Sequence, residues 1–275
     1  MVPDVIFFGN GPLAEATLAV LQQHTHILFH ARTKSDLEKV AQLKTENPSA
    51  HGILASFGVI IKPSLLKLFE PEGILNLHPS LLPKYRGASP IESAILAGGT
   101  DFSYSIMKLV SACDAGPVYH QETFSNLPLN KSEIYRTLAT AGAKWLVKNL
   151  SQLPQPLPQD NSKATYTEKL DKSQSLLQPD RYTASEIYRQ IIAFQDFPKP
   201  KYQFFGKTCI ILDAKVLRVT DILCEAAGLN GNASSPLMIK CADRNFVVVE
   251  RLQPEGKKPM DAKSFVNGYA KNHQS

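Results

Sequence analysis

Apolar residues in the first half of the chain fall into two alternating patterns. Short dense runs at 4–9 (DVIFFG), 26–30 (HILFH), 52–58 (GILASFG), 74–78 (ILNLH) and 103–109 (SYSIMKL) read as strands, and 117–123 reads as a sixth. Between them, 12–23 repeats apolar residues at spacings of three and four, 33–47 is a polar, charged helix, and Pro63 opens a short helix over 63–70. Residues 90–98 form another helix, and 131–152 a long amphipathic one with Ile134, Leu138, Ala141, Trp145 and Leu146 on one face. Strands that alternate with helices predict an α/β fold, with a mostly parallel sheet covered on both sides.

The pattern then changes. Residues 153–166 (LPQPLPQDNSKATY) are proline-rich and polar and read as a linker. Thr183 and Glu186 make a capping box ahead of Ile187, Ile191 and Ile192. Strand-like runs follow at 202–205, 208–212, 214–222, 236–242 and 245–253, separated by turns such as Gly206-Lys207, with a short helix at 261–271. Short strands punctuated by turns predict a small antiparallel barrel. The expected organisation is therefore a first domain over 1–152, a linker over 153–170 and a second domain over 171–275.

A length of 275 residues suits two domains. No stretch approaches the roughly 20 apolar residues of a membrane span. The N-terminal MVPDVIFFGNG has neither a basic n-region with an apolar h-region nor the Arg- and Ser-rich character of a transit peptide, so a cytoplasmic location is expected. Cys113, Cys209, Cys224 and Cys241 are widely spaced with no CxxC, which argues against a zinc or redox site and for reduced thiols. The formal net charge is +5, of which residues 171–275 carry +4 and 1–170 only +1. A basic second half suits a phosphate-bearing partner and equally an ordinary solvated surface.

Two constellations carry candidate chemistry. GNGPLA, Gly9 to Ala14, satisfies G-x-G-x-x-G/A between a strand and a helix. The acidic ribose-binding residue of a dinucleotide site is missing, since the second strand ends in His30-Ala31-Arg32-Thr33, and Pro12 at the first helical turn makes a plain tight turn the simpler reading. The second constellation is Asn76 and His78, two apart on one strand and hence on one face. Asp114 lies in the loop after the fifth strand, which places all three at the carboxyl ends of strands, where open α/β sheets bind ligands. An Asp beside a His favours the imidazolium, and an Asn amide donates to a developing oxyanion. Together they suit transfer of a small acyl group to an amine.

N-x-H-P-S-L-L-P-x-Y-R-G over 76–87, followed by the D-x-G of Asp114 to Gly116, resembles the signature of the formyltransferases that use 10-formyltetrahydrofolate. Within that family, Tyr85 to Ile91, TYTEKLDKSQ at 165–174, IIAFQDFPKP at 191–200 and LQPEGKKPM at 252–260 are most similar to the enzymes that formylate methionyl-initiator-tRNA. The resemblance implies a Rossmann-like catalytic domain, a linker and an OB-like β-barrel that helps hold tRNA. It places the catalytic trio on Asn76, His78 and Asp114. It places the folate pocket on Phe57, Gly58, Val59 and Ile60 and on Val110, Ser111, Ala112 and Cys113, with Ser80, Leu81, Leu82 and Pro83 shaping the wall.

No metal is implied, and a monomer is expected. Members that formylate methionyl-tRNA carry a long basic insertion after the second strand; here only Arg32 and Lys34 stand in its place. Lys199, Lys201, Arg218, Lys257 and Lys258 are candidate phosphate contacts on the second domain, against the alternative of a solvated lysine face. Three rivals stay open: the same folate chemistry on an amino sugar nucleotide, an NADP-dependent oxidoreductase using Gly9, Gly11 and Arg32, and a non-catalytic RNA-binding protein.

Overall fold

The computed structural model describes residues 2–220 and 236–269. Cys224, the end of the expected strand over 214–222 and the last residues of the expected helix over 261–271 lie outside the described residues. The chain divides into two compact units. The first runs to Lys169 except for residues 95–98, which group with the second.

The first unit is built on a six-stranded sheet. Its strands are β1 (Asp4–Gly9), β2 (His26–Ala31), β3 (His51–Ala55), β4 (Ile74–His78), β6 (Phe102–Lys108) and β7 (Val118–Phe124), in the order β2-β1-β3-β4-β6-β7. The first four are parallel, while β6 runs antiparallel to β4 and β7 antiparallel to β6. Helices α1 (Gly11–His24), α2 (Leu37–Glu46), α3 (Pro63–Leu68), α4 (Pro90–Leu96) and α5 (Lys131–Asn149) punctuate the strands. Two short strands, β5 (Arg86–Gly87) and β8 (Tyr166–Thr167), pair in parallel as a separate ribbon.

Strand parity divides the apolar residues between two cores. Ile6, Phe8, Leu54 and Ile74 pack with Val40 of α2, Leu65 of α3 and Phe69 on one face. Leu77 points the other way, toward α5, and Gly142 of that helix is seated so closely that a Cβ there would collide with the Leu77 side chain. The expected apolar face of α5 is thus seen at Ile134, Leu138 and Leu146, with Gly142 the point of closest approach to the sheet; Trp145 instead stacks on His120 at the edge, with ring centroids 4.9 Å apart.

Gly9 and Gly11 behave as a turn. Gly9 passes so near the Ala55 carbonyl that no side chain fits, whereas Gly11 (φ +79°) has open space around its Cα and is needed only for its backbone angle.

The expected linker departs from expectation. Leu157 makes an antiparallel bridge with Val118, Thr165 N–H donates to the Pro83 carbonyl at 3.2 Å, and Arg86 N–H donates to the Thr165 carbonyl at 2.9 Å. Residues 153–169 thus belong to the first unit. Their prolines remove backbone donors, and Leu157 and Thr165 pair their backbone groups with Val118, Pro83 and Arg86 of the domain.

The second unit is a curled antiparallel sheet, half of a barrel, in the order β11-β12-β10-β9, with β13 on β12. Its strands are β9 (Lys201–Phe204), β10 (Lys207–Leu217), β11 (Met238–Lys240), β12 (Phe246–Pro254) and β13 (Met260–Asp261). The two runs expected at 208–212 and 214–222 are one strand, β10, with register shifts flanking Asp213 that bend it without ending it. Helices α6 (Ala184–Ala193) and α7 (Ala262–Tyr269) supply Ile187, Ile191 and Phe265 to a core shared with Cys209, Ile211, Val247 and Leu252. Thr183 caps α6 in the expected box with Glu186.

Gly9→Ala is expected to destabilise the first unit by about 2 kcal/mol or more through backbone overpacking. Gly11→Ala should cost only about 1 kcal/mol of conformational strain. Urea unfolding followed by the fluorescence of Trp145, the single tryptophan, checks the ranking.

Candidate active site

Because Ile74, Asn76 and His78 share one face of β4, that face turns from apolar to polar within five residues. Ile74 is fully buried in the core; Asn76 and His78 are each 5% exposed. Both border a cavity of about 740 Å³, lined on its apolar side by Leu54, Phe57, Val59, Ile61 and Leu66 and at its polar end by Asn76, His78 and Asp114.

Asp114 reaches this place by a route other than the one the sequence suggests. Lys108, the last residue of β6, pairs with Leu75, so the strand before Asp114 ends beside the start of β4 rather than at its carboxyl end. The loop after Lys108 doubles back instead. Asp114 Oδ1 lies 3.5 Å from Asn76 Nδ2, and Oδ2 lies 3.7 Å from His78 Nδ1. The second separation is that of an ion pair and exceeds a hydrogen bond. Gly87 N–H donates to Oδ2 at 2.8 Å. Asp114 adopts φ +44°, in the left-handed region that few non-glycine residues occupy. Gly116, two residues on, packs so tightly on the Lys108 carbonyl that a Cβ would overlap it.

The imidazole is oriented unambiguously. His78 Nε2 lies 2.9 Å from the Tyr85 carbonyl, which can only accept, so Nε2 carries a proton and Nδ1 faces Asp114. Tyr85 itself sits at φ +58°, and its N–H is held by Thr165 Oγ1 at 2.8 Å.

The expected folate-loop residues Phe57, Gly58, Val59, Ile60, Val110, Ser111, Ala112 and Cys113 all line the same cavity as the trio. Ser80, Leu81, Leu82 and Pro83 do not line it. All four have bonds that build the turn beyond β4: Ser80 Oγ donates to the Lys84 carbonyl at 2.7 Å, Lys84 N–H donates to the Leu81 carbonyl at 3.0 Å, Leu82 N–H donates to Ser105 Oγ at 3.1 Å, and the Pro83 carbonyl accepts from Thr165. Leu81 is 42% exposed. Ser80 N–H also donates to the His78 carbonyl at 2.9 Å, so these residues build the turn that leaves β4 rather than the cavity lining.

None of the expected phosphate contacts borders the cavity. Arg32 and Lys34 are exposed on the first unit; Lys199, Arg218, Lys257 and Lys258 are exposed and Lys201 half-buried on the second.

Four features escaped sequence reasoning. Tyr135 lines the cavity and donates to Glu92 Oε1 at 3.0 Å, and Lys131 Nζ lies 3.5 Å from the same oxygen in a buried pair. Gly87, at φ +116° with no room for a Cβ beside the Thr167 carbonyl, supplies the N–H that fixes Asp114. Arg86 is 2% exposed, among the largest fully buried side chains. Gln159, from the presumed linker, joins Arg86 to the Asp114 turn. Arg86 and Gly87 stood within the recognised motif; nothing in a proline-rich polar stretch singles out Gln159.

Among the described residues no group of three or more His, Cys, Asp or Glu could hold a metal ion, and no helix is long and apolar enough to cross a membrane.

Comparison with known proteins fits this geometry. The formyl transferase family model matches residues 11–150, and the model of the formyl transferase C-terminal domain matches 169–270. The chain belongs to the formyl transferase family. A methionyl-tRNA formyltransferase of Jannaschia sp. is 36% identical over 219 residues, covering 78% of this chain and 69% of the relative. Among solved structures, the methionyl-tRNA formyltransferase of Clostridium thermocellum shares the fold at TM-score 0.62 and 17% identity, over 78% of this chain and 93% of that one. HypX of Aquifex aeolicus, in complex with tetrahydrofolic acid, superposes at TM-score 0.72 and 14% identity, over 98% of this chain; the chain spans about half of HypX, 47% of its length.

Burial pushes the Cys113 thiol above its ordinary pKa, the adjacent Asp114 carboxylate pushes it further, and Arg86 pulls the other way. Asp114→Asn should therefore speed alkylation of Cys113 by iodoacetamide near neutral pH and move its rate profile to lower pH. An unchanged profile would mean that the carboxylate does not sit against the thiol.

Proposed function

We propose that this protein transfers a formyl group from 10-formyltetrahydrofolate to the α-amine of methionyl-initiator-tRNA. The observation that carries the reading is the convergence of an amide and an imidazole on one carboxylate, at 3.5 and 3.7 Å, on the lining of a largely apolar cavity. The match to methionyl-tRNA formyltransferases through most of the chain's length supports the choice of substrate. A volume of about 740 Å³ suits a flat heteroaromatic ring. The apolar residues Leu54, Phe57, Val59 and Ile61 would cover its faces, leaving the formyl-bearing nitrogen at the polar end.

In this reading Asn76 Nδ2 and a protonated His78 Nδ1 donate to the formyl oxygen as it takes up negative charge during attack by the amine. The amine nitrogen forms its bond to the formyl carbon and sheds a proton toward Asp114. The bond from that carbon to the donor nitrogen then breaks, and the same proton passes to the departing nitrogen. Asp114 thus acts twice, as base and then as acid, and balances the imidazolium charge before it takes the proton and after it gives it up. His78 moves no proton through Nε2, which the Tyr85 carbonyl holds. Arg32 and Lys34 on the first unit, and Lys199, Lys201, Arg218, Lys257 and Lys258 on the second, are read as contacts to the tRNA backbone. The enzyme is read as a cytoplasmic monomer.

The decisive assay incubates the protein with 10-formyltetrahydrofolate and methionyl-tRNA charged on initiator or elongator species and looks for formylmethionine. An amino sugar nucleotide serves as the competing acceptor; formylation of the sugar alone would overturn the reading. Asn76→Ala, His78→Ala and Asp114→Ala should each lower kcat by roughly two to three powers of ten while circular dichroism stays native. Near-normal turnover by Asp114→Ala refutes the catalytic assignment.

Tight tRNA binding should weaken steeply with salt. Changing both Lys257 and Lys258 to Gln should reduce the slope of log affinity against log salt by roughly 1 to 2. An unchanged slope would return those lysines to ordinary solvation.

A further inference from the structure

A buried guanidinium normally sits against a carboxylate, since an unpaired ion is costly to desolvate. Arg86, 2% exposed, forms no ion pair among the described residues. Its side chain is satisfied by neutral oxygens. Nε and Nη2 both donate to Gln159 Oε1, at 3.1 and 2.7 Å; Nη2 also donates to Asn161 Oδ1 at 2.8 Å, and Nη1 lies 3.4 Å from the Tyr166 hydroxyl. All three partners come from the segment between 159 and 166.

Gln159 has its whole hydrogen-bonding capacity committed. Its oxygen takes two donors from Arg86, and its Nε2 donates to the carbonyls of Asp114, at 2.8 Å, and Gly116, at 2.7 Å. The amide cannot be flipped, because a guanidinium only donates and a peptide carbonyl only accepts. The two carbonyls it grips bracket the turn that holds Asp114 at φ +44°. A left-handed aspartate is strained and persists where its surroundings over-determine it. Here the side chain is fixed by Gly87 N–H and the backbone by Gln159. Arg86 and Gly87 are adjacent, so one two-residue strand reaches the aspartate from both sides.

We propose that Arg86 and Gln159 are positioning residues for formyl transfer: the guanidinium aligns the Gln159 amide, and the amide clamps the 114–116 turn so that the Asp114 carboxylate faces Asn76 and His78. The segment 153–167 is then a working part of the catalytic unit. This inference rests on the reading of Asp114 as a catalytic group.

Gln159→Glu separates positioning from folding. The carboxylate keeps the acceptor for Arg86 and gains an ion pair there, which offsets the repulsion between its second oxygen and the 114 and 116 carbonyls, so melting temperature should change little. Both donations to the 114 and 116 carbonyls are lost. The expected result is a fall in kcat of roughly 10- to 100-fold, with KM for both substrates changed less than about threefold, and a shifted pH–rate profile. Arg86→Lys, which keeps one charge but cannot fork onto Oε1, should fall in kcat without regaining it at higher substrate concentration.

Native kcat and pH profile in Gln159→Glu, with Asp114→Asn inactive, would overturn the proposal while sparing the catalytic reading. A parallel loss of kcat and melting temperature in Gln159→Glu would also overturn it, by reducing the amide to a structural prop. Full activity of Asp114→Asn would remove the catalytic reading and this inference with it.

Discussion

The site depends on the parity of a single buried strand. Along Ile74 to His78 the odd residues Leu75 and Leu77 are buried with less than 2% exposure, and Leu77 meets α5. The even residues begin in the other core and end as Asn76 and His78. A one-residue slip would exchange the faces, burying two polar groups among leucines without partners and exposing the leucines to the cavity. That alternative costs several kcal/mol at each buried polar group, so the same forces that hold the sheet in register also aim the chemistry.

Much of this was legible in the sequence, for identifiable reasons. The alternation of apolar runs with three-and-four spacing gave the strand and helix order because each pattern reflects one backbone period. The pairing of Asn76 with His78 needed only the two-residue repeat of a strand. Asp114 was reached for an incomplete reason. A loop after a strand was expected at the carboxyl end of the sheet, yet β6 is antiparallel, and the loop returns because the Gly116 backbone lies directly on the Lys108 carbonyl. Strand direction is a tertiary property, and no local pattern in SYSIMKL encodes it.

The supporting residues were harder to see. Ser80 to Pro83 belong to a dense motif, and density alone does not distinguish residues that touch a ligand from those that shape a turn. Gln159 lay in a stretch whose composition predicts a chain without its own core. That prediction is correct as far as it goes: residues 153–167 bury little for themselves and are ordered by hydrogen bonds to Val118, Pro83, Tyr85 and Arg86. Composition reports whether a segment can fold alone, and says nothing about whether a neighbouring surface offers it partners. In the second unit, Asp213 looked like a break between strands and is a bend within one, since a bulge and a turn draw on similar residues.

The bond between His78 and the Tyr85 carbonyl has a consequence for the reaction cycle. A histidine free at both nitrogens can pick up a proton on one side and discharge it on the other. Here one side is closed, so the ring has a single port, and any charge it gains must leave through the mouth that also admits the reactants. In the proposed cycle the proton travels on Asp114, so the closed side leaves the ring a stationary donor to the reacting oxygen rather than a relay.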